Sequence, residues 1–161
     1  TEIPRWLQIE FSHRVQQETE KTAAEIQPEE LVALFNATYV NSEGLFQIEN
    51  YTAGQNADGK EITEFVISHS GRQLNLQTHG VGILDCFVSA LAEHFALAIN
   101  IIEYNEQTLK PDNAARAIAF VQLDIEGHYC SAVAQHTDIV MASLNAILQA
   151  IESYSGFYYN K

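Results

Sequence analysis

The chain has 161 residues, 47% hydrophobic and 18% charged, which is enough for one domain with a buried core and too apolar for a disordered chain. Eight Lys and Arg against 21 Asp and Glu leave a net charge of -13, a field that repels phosphate backbones and anionic headgroups and so disfavours nucleic-acid and membrane partners. No apolar run approaches the roughly 20 residues of a membrane helix, and two cysteines, Cys86 and Cys130, are too few for a disulfide framework; they read as buried thiols in a reducing, cytoplasmic setting.

From Pro4 to Ala24 the apolar residues Leu7, Phe11 and Val15 recur every four positions, and Pro4 suits the first turn of a helix. Thr1 to Trp6 carry none of the regions of a signal peptide, and this direct opening into an amphipathic pattern reads as part of a longer chain. Pro28 starts a second helix, with Glu29 and Glu30 in the first turn where the dipole favours acids, and with Leu31, Leu34, Phe35 and Tyr39 on one face. Two such helices cannot enclose a core. Residues 1–42 therefore read as a helical linker segment whose apolar faces pack on the rest of the chain or on something outside it.

At Leu45 the period changes to two. Phe46, Ile48 and Asn50 alternate with Gln47 and Glu49, Gly54 to Gly59 is rich in turn residues, and Ile62, Phe65 and Ile67 begin a second strand. Leu74 and Leu76, after Gly71, make a third strand. Gly80-Val81-Gly82 ends it before Leu84, Phe87, Val88, Leu91 and Phe95 take up helical spacing.

The same order then returns. A shift of 56 positions lays Ile62, Phe65, Ile67 and Gly71 on Ile118, Val121, Leu123 and Gly127, and Leu84, Val88 and Leu91 on Val140, Leu144 and Ile147. The second copy opens with a strand from Ala98 to Tyr104, passes a loop through Pro111 and Asp112, and closes with a helix from about Asp138 to Tyr154. The expected fold is α+β: two βββα units, about 43–97 and 98–155, related by a pseudo-twofold axis and together forming a domain over 43–161.

Several groups invite a chemical reading. Gly80-Val81-Gly82 between strand and helix can aim backbone N–H groups at a carboxylate or phosphate, or can be a tight turn that simply needs glycine. A dinucleotide site is rejected, because the third glycine of that fingerprint is missing and Asp85 sits in the first helical turn. His128 and Cys130 share a strand face but lack two further ligands at a recognisable spacing, so no metal site is expected. His136-Thr137-Asp138 reads as a loop residue followed by an N-cap. Ser89 and Ser143 lie in helices without a neighbouring base, and no nucleophile elbow, P-loop or zincin motif is present, so no catalytic residues are assigned. Tyr154, Phe157, Tyr158 and Tyr159 read as an aromatic tail that packs on a neighbouring surface.

Pro4-Arg5-Trp6-Leu7-Gln8-Ile9-Glu10-Phe11-Ser12, the Gly80-Val81-Gly82 turn followed by Leu84, Phe87, Ala90 and Leu91, the pair Glu103-Tyr104, and Ala142-Ser143-Leu144-Asn145-Ala146 together resemble the C-terminal part of the 2-isopropylmalate synthases. That resemblance implies a regulatory domain with part of the linker, non-catalytic alone, in a family whose (β/α)8 barrel condenses acetyl-CoA with 2-oxoisovalerate using a divalent metal. The barrel, with the metal, would precede Thr1. The resemblance further implies a homodimer that binds leucine as feedback inhibitor near its interface. The family's Gly-Asn-Gly-Pro turn stands here as Gly80-Val81-Gly82-Ile83, which keeps the backbone donors and loses the Asn side chain. Its later Gly-Val-Gly corresponds to Ala132-Val133-Ala134, followed by the polar Gln135. By similarity the effector would meet Gly80, Val81, Gly82, Leu84, Asp85, Ile101, Tyr104, Thr108, Ala114 and Gln135, although Ile101 reads equally as core. Two other readings stay open: a dimerisation module that has lost effector binding, and the isoleucine-responsive domain of a citramalate synthase, against which the motif beginning at Pro4 argues.

Overall fold

The computed structural model describes residues 2–40, 44–109 and 116–154. Two helices, α1 (Arg5–Thr22) and α2 (Pro28–Tyr39), precede β1 (Gln47–Gln55), β2 (Glu61–His69), β3 (Arg72–His79) and α3 (Ile83–Phe95). Then follow β4 (Ile99–Leu109), β5 (Arg116–Ile125), β6 (His128–His136) and α4 (Ile139–Ser153). Each triplet of strands forms its own antiparallel sheet, in the order β1-β2-β3 and β4-β5-β6. The expected pair of βββα units is therefore present. Pro111, Asp112, Ala114, Phe157, Tyr158 and Tyr159 lie outside the described residues.

The units match in detail. Each β-hairpin between second and third strands turns through two residues with positive φ, Ser70 (49°) and Gly71 (78°) in the first, Glu126 (52°) and Gly127 (84°) in the second. That is the turn geometry whose twist suits a two-residue hairpin, and it explains the glycine at the second position. Each first strand carries a bulge, between Ile48 and Asn50 and between Ile101 and Glu103. The bulge reverses the alternation expected at Asn50: Asn50 pairs with Val66, and Tyr51 takes the inward place opposite Phe65. It also shifts the repeat. Tyr51 corresponds to Tyr104, an offset of 53, whereas the remaining elements keep 56.

Inward residues of both sheets and both unit helices form one core, including Phe65, Ile67, Phe87, Leu91, Val121, Leu123, Leu144 and Ile147. Helix α4 packs on β5 and β6 and reaches β1, while α3 packs on β3 and reaches β4, so each helix touches the first strand of the other unit as a twofold relation requires. Cys86 is buried in this core; Cys130 is half-buried on β6, and both thiols are free. Half-burial also characterises Tyr154, whose ring lies 5.7 Å from that of His128.

The second sheet is buried on both faces. Its outer side carries Ile118, Phe120 and Val133, which form a separate apolar cluster with Leu7 of α1 and Tyr39 of α2. This is where α1 and α2 find their partner, and it accounts for the unbroken apolar run from Ala117 to Val121. The corresponding face of the first sheet carries Glu64, Ser68, Gln73, Asn75 and Gln77, and needs no cover.

Glu152 of α4 fastens the entry into β1, accepting a hydrogen bond from the Phe46 N–H at 2.7 Å. Asn145, two turns earlier, accepts from the Ile48 N–H at 3.2 Å. Burial pushes the Glu152 carboxyl up by more than the nearby backbone N–H groups pull it down. The folded chain then holds that proton more tightly than the unfolded chain, so this group's contribution falls as pH rises from the ordinary glutamate range through the raised value. Glu152→Gln is expected to flatten that part of the stability profile, read by urea denaturation from about pH 4 to pH 7. An unchanged slope would place the pH dependence elsewhere.

Candidate functional site

The entry to α3 is made of glycine for a backbone reason. Gly80 has φ 136° and Gly82 has φ 91°, conformations that side-chain-bearing residues rarely adopt. Between them Val81 is 84% exposed, so it contributes a backbone N–H and an uncovered side chain rather than core. Gly82 is the N-cap residue and no side chain caps the helix. Asp85 stands exposed in the first turn and Leu84 leans on the core. A cavity of about 310 Å³ opens beside Gly80, Gly82 and Ile83, walled by Gln55 of β1 and by Glu61 and Thr63 of β2.

The repeat supplies a comparison. At the offset of 56, Gly82 corresponds to Asp138, the N-cap of α4. One oxygen of Asp138 accepts from the N–H groups of Val140 at 2.8 Å and Met141 at 3.1 Å. The start of α4 is thus capped by a carboxylate of the chain's own, whereas at the start of α3 no side chain, Asp85 included, makes a cap hydrogen bond. Asp138→Ala is expected to cost about 1 kcal/mol, the usual worth of such a cap, measured by denaturant midpoint. A loss under a few tenths would mean that water replaces the carboxylate.

Ile101, Tyr104 and Thr108 form one row on β4, opposite Leu123, Val121 and Ala117 of β5. The first two pack against the main core and Thr108 is exposed. The Tyr104 hydroxyl donates to Glu106 and lies 2.5 Å from Ser143 Oγ of α4. Burial first, and then the bond to Glu106, pushes this phenol up to about 12, which keeps it neutral and able to donate at physiological pH. Its repeat mate Tyr51 is also raised, by burial and by the charge of Asp138, so β1 lies within electrostatic reach of the start of α4.

Gln135 sits apart. Its partner across the ladder is Ile118, which places it on the outer face of the second sheet; with Phe46, Asn145 and Gln149 it lines a cavity of about 340 Å³ along β6. The structure thus groups Gly80, Val81, Gly82, Leu84 and Asp85 at the start of α3, and Ile101, Tyr104 and Thr108 along β4. Ala114 lies outside the described residues. Among those residues no group of three or more His, Cys, Asp or Glu side chains is placed to hold a metal ion.

Sequence reasoning missed Glu10. Its Oε1 accepts from Ser131 Oγ at 2.7 Å and from Gln122 Nε2 at 3.1 Å, joining α1 to β6 and β5. The available signal was a carboxylate three residues from Leu7 on an apolar helix face, together with polar Gln122 and Ser131 inside otherwise apolar strands.

A profile of the LeuA allosteric (dimerisation) domain matches residues 25–155, through both βββα units. The chain belongs to this LeuA domain family. The resemblance read from the motifs is borne out by individual relatives as well. It is 31% identical over 157 residues to a 2-isopropylmalate synthase of Mesorhizobium japonicum, covering 96% of this chain and 28% of that protein. Another, from Helicobacter hepaticus, is 28% identical over 157 residues, covering 92% and 28%. A third, from Thermobifida fusca, is 31% identical over 150 residues, covering 93% and 26%. The chain therefore spans little more than a quarter of the length of these relatives. The family match begins before α2, so α2 belongs to the matched unit and α1 precedes it.

Proposed function

We propose that this LeuA domain is the regulatory part of a cytoplasmic 2-isopropylmalate synthase and that it binds leucine as a homodimer. Occupancy then inhibits a metal-dependent catalytic barrel outside the chain, and the chain alone has no catalytic activity. The observation that carries the reading is the allosteric-domain match through both units, together with relatives that are 2-isopropylmalate synthases. The geometry at α3 supports it: an uncapped helix start suits the amino-acid carboxylate, and Asp85 and Glu61 beside it suit the ammonium group. Feedback requires that leucine bind the inhibited arrangement more tightly than the active one.

Calorimetry of the chain with leucine, isoleucine and valine tests this. Saturable heat, greatest for leucine, is the expected result; preference for isoleucine would favour a citramalate synthase. One observation favours a second reading, a dimerisation module without effector: Val81 is exposed and apolar, so the turn lends a ligand no polar side chain. Absence of heat with all three amino acids would select that reading. Light scattering expects a dimer, and a concentration-independent 18.0 kDa species would overturn the homodimer.

A further inference from the structure

The linker's cover on the second sheet is small. Among the described residues α1 buries only Leu7 and α2 only Tyr39, against Ile118, Phe120 and Val133 of the sheet. This cluster is separate from the main core, so the cover can leave without opening that core. At its edge, beside the ladder pair Gln122 and Ser131 that follows Phe120 and Val133, lies one half-buried carboxylate. Glu10 accepts from Ser131 and Gln122 at the distances given above, and Tyr39 of α2 lies near enough to feel its charge. Four elements, α1, α2, β5 and β6, thereby meet at a single side chain. Ser131 is 7% exposed, so water is poorly placed to replace Glu10 as its acceptor.

We propose that Glu10 is the latch that fixes the linker helices to the second sheet, and that its loss releases α1 and α2 together while both βββα units stay folded. We further propose that occupancy inside the domain reaches the linker through this joint, a step that rests on the effector reading above. The physical basis is a shared element: β5 and β6 carry the dock on one face and, on the other, the residues opposite Tyr104 and under α4. A displacement of the sheet moves both faces.

Trp6 is the single tryptophan, and its indole N–H donates to Asn105 Oδ1 of β4 at 2.7 Å, so its fluorescence reports docking of α1. In Glu10→Ala the emission should shift to the red and acrylamide quenching should rise. Amide exchange over residues 5–39 should quicken about ten- to a hundredfold, while β2, β5 and α4 keep their protection. Tyr39→Phe, which keeps the ring packing and loses only the hydroxyl near Glu10, should give a smaller change of the same kind. Wild-type fluorescence and exchange in Glu10→Ala would overturn the latch, and so would acceleration spread evenly over the chain. For the second step, leucine should alter exchange over residues 5–39 in the wild type. In Glu10→Ala it should still release heat but leave those residues unmoved; an undiminished linker response there would overturn the coupling. Absence of leucine heat in the wild type would remove the effector reading and the coupling with it, while the latch stands or falls on the ligand-free comparison.

Discussion

Replacing Phe65 with alanine is expected to cost about 3–5 kcal/mol, a large part of the roughly 5–15 kcal/mol that a domain of this size holds in reserve. Phe65 is 0% exposed at the middle of β2, flanked in the ladder by Tyr51 of β1 and Leu76 of β3. Its ring lies 4.7 Å from that of Phe87 on α3, at 49° between planes, so it ties the first sheet to its helix. The alanine variant loses the transfer free energy of the ring and leaves a cavity that a rigid sheet cannot close. Its neighbour Val66 faces the other way and is half-buried, so Val66→Ala should cost well under that. Urea denaturation of the two variants decides the matter. Equal losses would mean that the first sheet does not bury the face assigned to it.

The second large effect is on binding. Gly82→Val should abolish the calorimetric response to leucine while leaving the far-ultraviolet circular dichroism and the dimer intact. A Cβ at this position would lie 3.6 Å from Asp85 Oδ2, an ordinary contact, so space is not the obstacle. The obstacle is φ 91°, which a β-branched residue resists at a cost of order 1–3 kcal/mol. The turn relieves that strain by rotating, and the N–H groups at the start of α3 move with it. Asp85→Ala is the companion variant. If Asp85 receives the ligand ammonium, its removal weakens leucine; if it only repels the carboxylate, its removal tightens leucine. Unchanged leucine affinity in Gly82→Val would place the effector elsewhere on the domain.

Periodicity alone was enough for the two linker helices, whose expected limits fall within two residues of those observed, and for the order of three strands and a helix, twice. These features are local, set by the face that each element must bury and by the glycines that its turns require. The bulges were not legible, because an extra residue in one strand is defined only against its partner. Asn50 therefore read as inward where Tyr51 is. The repeat at 56 was visible, but its first strand, offset by 53, was hidden for the same reason.

The candidate site divides along the same line. The glycine turn and Asp85 could be read directly, since φ and the first helical turn are properties of a short segment. That Gln135 faces away from the Tyr104 row depends on ladder register, and that Glu10 gathers Tyr39, Gln122 and Ser131 depends on where two helices dock. Composition and spacing by themselves determined that this chain is a duplicated, acidic α+β domain behind a helical segment. Only the tertiary structure decided which sheet α1 and α2 cover and which side chains meet there, because the Glu10 contacts join residues more than 100 positions apart and leave no periodic trace in the sequence.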